Sequence, residues 1–133
     1  MSNIYYLRNN NDPISFSVNI GTIGNPALAA SLKRSGNVYV KVPTQQNASF
    51  NIPVTALGVS SDLIGSVLLI TALIVFAAGD DLDQAFANLS MGITLTGGLD
   101  GTQNFSLQHS DKTEYQNTRS IVASLVVKLQ TNQ

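Results

Sequence analysis

Residues 63–78 run for sixteen positions without a charge, LIGSVLLITALIVFAA, and thirteen of them are hydrophobic. The run is apolar at every period. A strand with one wet face alternates apolar and polar residues, and a surface helix carries a single apolar stripe. This segment does neither, so both of its faces call for a covering. Ile64, Val67, Ile70, Thr71, Ile74 and Val75 are β-branched and suit a pleated sheet. A buried strand is therefore the reading, ahead of a buried helix. A membrane span needs about 20 apolar residues and prefers basic residues and aromatic belts at its ends. Asp62, Asp80, Asp81 and Asp83 flank the run instead, so no membrane partner is expected.

As a strand the run has two faces. Leu68, Ile70, Ala72, Ile74 and Phe76 form the bulkier one and are predicted to enter the core. Val67, Leu69, Thr71, Leu73 and Val75 form the other. Left in water they make a contiguous apolar patch of a kind that monomers rarely tolerate. Val122 and Val126 widen that patch if the last strand lies beside this one. These seven residues are the predicted self-association surface.

Most of the remaining chain reads with period two. Ile14, Phe16, Val18 and Ile20 alternate with Ser15, Ser17 and Asn19. The turn-rich NNNDP at 9–13 precedes them, and with a short run at 4–8 it predicts an N-terminal hairpin. ALAASLKR at 27–34 suits a helix by propensity, but the Ser-Gly-Asn turn at 35–37 and the strand-like 38–42 favour a hairpin. Pro53 interrupts the alternation of Phe50, Ile52, Val54 and Ala56, which demotes that strand to an edge or a bulge. Residues 82–87 predict a short helical turn that Asp80 could cap. Met91, Ile93 and Leu95 alternate next. Residues 97–101 read as a loop, Phe105 and Leu107 as a short strand, and 108–119 as a wet segment. Ile121, Ala123, Leu125, Val127 and Leu129 give the last strand its core face. About eight strands and no long amphipathic helix predict an all-β chain. Its expected architecture is a single antiparallel β-sandwich over residues 1–133, of jelly-roll or immunoglobulin-like type, with one helical turn near 80–87.

Composition narrows the function. Charged residues are 11%, against about 25% in ordinary soluble domains. Ser, Thr, Asn and Gln supply 45 of the 133 residues instead. The net charge of −1 leaves little self-repulsion, which favours association. Seven basic residues, with Lys33–Arg34 the one adjacent pair, do not make a phosphate-binding surface, so nucleic acid is not an expected partner. The opening MSNIYYLRNNND has neither a basic n-region nor an apolar h-region, and no secretory leader is expected in it.

Chemistry-bearing constellations are sparse. The chain has no cysteine, which removes thiolate nucleophiles and thiolate metal sites. His109 has Ser110 and Asp111 as immediate neighbours, whereas triad members converge through the fold. Asp111 and Glu114 lie in a polar stretch unlike a glycosidase cleft. GTIGNP lacks the lysine of a phosphate loop. Asp80, Asp81 and Asp83, with Asp100 from another loop, are the calcium candidates, but the alternating ligand pattern of an EF-hand is missing. A cluster solvating the start of a helical turn is the preferred reading. Tyr5, Tyr6, Tyr39 and Tyr115 are the residues able to stack a sugar, since the phenylalanines read as core. Sequons occur at Asn47, Asn88 and Asn104. No catalytic residue, cofactor or metal is expected, and no small-molecule ligand is specified. The expected function is a non-enzymatic structural subunit that self-associates into a homo-oligomer, shell or filament. The alternative is a monomeric binding module for a carbohydrate, peptide or protein, using loops 43–47, 97–104 and 108–119.

Overall fold

Alternation sorts this chain into strands, and the strands bury what the pattern marks as apolar. The computed structural model describes residues 3–34 and 38–131. Its strands are β1 (Asn3–Leu7), β2 (Pro13–Gly21), β3 (Asn25–Lys33), β4 (Val40–Val42), β5 (Ile52–Val59), β6 (Ser66–Val75), β7 (Ser90–Gly98), β8 (Gly101–Ser106), β9 (Lys112–Tyr115) and β10 (Ser120–Thr131). Two short helices, α1 (Ser60–Leu63) and α2 (Leu82–Asn88), and a 3-10 turn at His109–Asp111 join them. The strands form two sheets. One has six strands in the order β1-β10-β6-β3-β4, with β9 also paired to β10. The other has four in the order β5-β2-β7-β8. The fold is an all-β sandwich.

One apolar core cluster joins the two sheets. From the larger sheet come Leu68, Ile70, Ala72 and Ile74 of β6 and Ile121, Ala123, Leu125, Val127 and Leu129 of β10, each at most 1% exposed. Ile14, Phe16 and Val18 of β2 and Ile93 and Leu95 of β7 meet them from the smaller sheet. The apolar run is thus a strand at the centre of its sheet, between β3 and β10. Its first residues do otherwise: Leu63 ends α1 and is fully buried there.

Several expectations are corrected. The N-terminal runs form no hairpin. β1 pairs with β10 in parallel, while β2 joins the other sheet. The NNNDP segment is a crossover between sheets. Its turn is fixed by the Asn10 side-chain carbonyl, which accepts from Asp12 N at 3.1 Å, and α1 docks on it through Ser60 N to Asp12 O and Ser61 N to Asn10 O, both 2.8 Å. Segment 97–101 is a tight hairpin tip inside β7–β8, with Gly98 opposite Gly101. The wet segment 108–119 contains a 3-10 turn and the edge strand β9. These additions make ten strands among the described residues. The predicted pairing of 27–34 with 38–42 appears as β3 against β4, and β5 is an edge strand with two register shifts, one between Thr55 and Ile52 that spans Pro53 and one between Gly58 and Ala56. The turn expected at Ser35, Gly36 and Asn37 lies outside the described residues.

The hairpin tip shows how specific residues fasten the sheets together. Tyr5 is fully buried, and its hydroxyl donates to Gly101 O at 2.6 Å and accepts from Gly98 N at 2.8 Å. Burial pushes the Tyr5 phenol above its ordinary value. The Gly98 hydrogen bond pulls it partly back, and the Asp100 charge adds to the rise. Leu99 N also donates to Tyr6 O at 2.9 Å. Two glycines permit this contact. Gly97 sits at φ +99°, where a side chain is strained. A Cβ on Gly98 would lie 2.7 Å from the Tyr5 ring.

Candidate functional site

The outward face of the six-stranded sheet is built by three long neighbouring strands whose core-facing residues leave their alternate residues outside. Register fixes what meets there. Ala27 of β3, Leu73 of β6 and Val122 of β10 form one row; Ala29, Thr71 and Ser124 the next; and Ser31, Leu69 and Val126 the third. Beyond them lie Asn25, Val75 and Ser120 at one end and Lys33, Val67 and Lys128 at the other. All seven residues singled out from the sequence are therefore on one face, in two adjacent strands. Leu73, Val75 and Val126 are 47%, 49% and 39% exposed. Val67, Leu69, Thr71 and Val122 are half-buried.

The smaller sheet supplies an internal comparison. Its outward positions, Ser15, Ser17 and Asn19 on β2 and Thr94 and Thr96 on β7, are hydroxyls and amides in register with one another. Thr94 and Asn104 of β8 pair their side chains at 2.6 Å. The central strands of the smaller sheet are polar outside, with Val54 exposed on the edge strand β5, whereas β6 of the larger sheet is mostly apolar outside. No Asp or Glu occupies the paired outward positions of the larger sheet, where the charges are Lys33, Lys41 and Lys128.

Sequence reasoning missed the β3 contribution to this face. ALAASLK reads as a helix by propensity, while its period-two pattern puts Ala27, Ala29, Ser31 and Lys33 on one side and Leu28, Ala30 and Leu32 on the other. Ile4 of β1, opposite Lys128, and Tyr115 of β9, opposite Ser120, extend the same face.

The other candidates serve local structure. Asp81, rather than Asp80, caps α2, its carboxylate accepting from Gln84 N at 3.2 Å. Asp80 accepts from Ala77 N at 3.0 Å. Arg119 pins the same loop through Ala77 O and Asp80 O, at 2.9 and 2.5 Å from Nη2. Asp111 accepts from Gln108 N at 2.8 Å, and Glu114 takes a hydrogen bond from Gln116 Nε2 at 2.8 Å. His109 is exposed, edge-on to Phe86 with centroids 5.2 Å apart. Lys112 Nζ donates to Phe86 O at 2.7 Å, at the end of α2. Among the described residues no group of three or more His, Cys, Asp or Glu side chains is placed to hold a metal ion. No helix among them is long and apolar enough to cross a membrane. Of the stacking candidates Tyr5 is core, and of the phenylalanines assigned to the core Phe50 is 43% exposed.

Loop segment 43–47 also has a structural task. Gln46 lies along the open end of β3: its Oε1 accepts from Leu28 N at 3.1 Å and its Nε2 donates to Pro26 O at 3.2 Å. One side-chain amide thus takes the place of a strand's peptide group where β4 stops short. On the opposite edge, β9 pairs with β10 up to Ala123 and β1 begins at Val127. A groove of about 560 Å³ lies beside that gap, lined by Asn3, Gln108, Ser110 and Asp111 among others. Asn3 Nδ2 covers Val126 O there at 3.2 Å.

Comparison with protein-family models, with curated proteins and with solved structures returned no match to this chain.

Proposed function

We propose that this protein is a non-enzymatic structural subunit that associates with copies of itself through the outward face of its larger sheet. The observation that carries the reading is the contrast between the two sheets. The central strands β2 and β7 of the smaller one present Ser, Thr and Asn to water, with Val54 exposed on its edge strand β5, while the central strands of the larger one present Val67, Leu69, Leu73, Val75, Val122 and Val126. The low net charge lowers the repulsion that keeps subunits apart, and the charges on the face, Lys33, Lys41 and Lys128, lie away from its central rows.

Magnitude decides the kind of assembly. Full burial of a Val or Leu side chain is worth about 1.5–3 kcal/mol, and these six are already partly covered. Together with the same six on the facing copy they supply on the order of 10 kcal/mol, within the ~4–15 kcal/mol lost in rigid-body freedom. Such a contact suits a weak association of subunits that depends on protein concentration.

Size-exclusion chromatography with light scattering over a concentration series tests this. A defined oligomer or filament is expected, and Leu73→Asp should dissolve it while keeping the β circular-dichroism spectrum. A monomer near 14.1 kDa at every concentration refutes the reading in favour of a monomeric binding module. An oligomer unchanged in Leu73→Asp refutes the choice of face.

A further inference from the structure

We infer that the contact between copies is a face-to-face pairing of larger sheets about a two-fold axis that runs across the strands through the row of Thr71 and Ser124. The inference rests on the assembly reading and specifies its geometry. The outward residues of β6 read Val67, Leu69, Thr71, Leu73, Val75, the same forwards and backwards. On β10 Ser124 is likewise flanked by Val122 and Val126. A two-fold contact joins one surface to itself, so residue i meets residue j and j meets i.

An axis across the strands reverses the order of the rows and keeps each strand over its own copy. Leu69 then faces Leu73 of the second copy, Val126 faces Val122, and Thr71 and Ser124 face themselves. At the margin Ile4 meets the exposed ring of Tyr115. Lys33 and Lys128 fall over the neutral Asn25 and Ser120. Every apolar residue named here finds an apolar partner.

An axis along β6 does the opposite. It keeps the rows and exchanges β3 with β10, so Lys33 of each copy meets Lys128 of the other with no carboxylate on the face to offset them. Two like-charge contacts at the edge of an apolar interface decide against it.

The face is large enough. Four strand columns spaced by ~4.8 Å, over nine residues rising ~3.3 Å each, outline about 600 Å² per copy. Two such faces clear the ~1,000 Å² expected of a specific interface. Sheets that pack face to face also keep their strands within about 30° of one another, which preserves the row matching near the axis.

Because the chain has no cysteine, introduced ones are unique. Val67→Cys and Val75→Cys are prepared separately and treated with a bis-maleimide just long enough to bridge the ~10 Å between stacked sheets. With the axis across the strands, positions 67 and 75 of different copies face each other, while two copies of position 67 lie about 27 Å apart, eight residues of strand. The expected result is a cross-linked dimer in the mixture of the two variants and none in either alone. Thr71→Cys should link to itself. Val67→Cys linking to itself when alone, with no gain of linkage in the mixture, overturns the axis and leaves the assembly reading standing. An oligomer by light scattering that links at none of the three positions overturns both the axis and the face. A monomer by light scattering that also fails to link overturns the assembly reading itself.

Discussion

Replacing Tyr5 by Phe isolates one hydroxyl that fastens the two sheets together. The ring is fully buried and keeps its shape, so packing is conserved and the loss is confined to two hydrogen bonds. The two losses are unequal. Gly98 N is a buried donor, and leaving it without a partner costs about 1–3 kcal/mol. Gly101 O is only partly buried, and water replaces most of what it loses, about 0.5–1.5 kcal/mol. The expected destabilisation is about 2–4 kcal/mol. For a chain of this length that lowers Tm by roughly 7–14 °C. Urea titration followed by circular dichroism should show a lower midpoint with an unchanged slope, because the same surface is exposed on unfolding. A second arm uses pH. Folding raises the Tyr5 pKa above 10.0. Its contribution is whole below pH 10 and is lost as pH climbs through the folded value, since the unfolded phenol ionises first. Stability of the parent protein should therefore fall above pH 10, and that of Tyr5→Phe should fall less. A Tm loss under about 2 °C, equivalent to roughly 0.5 kcal/mol, would refute the assignment of Tyr5 as a clamp.

Three further outcomes are expected. Asp81→Ala should cost about 1 kcal/mol through loss of the α2 cap, read by thermal melting, and added calcium should leave the parent's Tm unchanged because Asp80 and Asp81 already accept backbone N–H groups; a calcium-dependent rise would show a metal site instead. Gln46→Ala should bare Leu28 N and Pro26 O at the edge of β3 and speed amide exchange at Leu28 by at least an order of magnitude; unaltered protection would show that the carboxamide is dispensable there. Gly97→Ala should destabilise by more than about 1 kcal/mol in urea titration, because the left-handed backbone is strained by any Cβ and this one meets Pro13 O at 2.2 Å.

The strongest periodicities translated directly into structure. β6, β2, β7 and β10 bury the residues that alternation marks, because each has one face in the core and a slip of one residue would turn every side chain over. Sheet membership was hidden. Nothing local in 4–8 or 14–20 tells that these runs belong to opposite layers, since pairing is decided by partners more than a hundred residues away, such as Asn3 with Val127. β9 escaped notice because KTEY at an edge mixes polar residues on both faces: Lys112 points inward to the end of α2, and Glu114 is held by Gln116. Tyr5 looked like a surface aromatic because its hydroxyl finds its partners only in the folded hairpin. The outward face was half visible. The β6 and β10 residues follow from their own spacing, whereas the Ala27–Lys33 half was masked by residue types that also favour a helix.

The position of β10 bears on how the chain can mature. β10 is an interior strand of the larger layer, with β6 on one flank and β1 and β9 on the other. During synthesis β6 emerges with a single neighbour, β3, and β1 waits for a mate that is translated more than a hundred residues later. Contacts so distant in sequence form slowly. Until they do, the nascent polypeptide carries its greasiest stretch with an unguarded hydrogen-bonding margin, and holding that stretch apart from its siblings becomes a matter of timing on the ribosome.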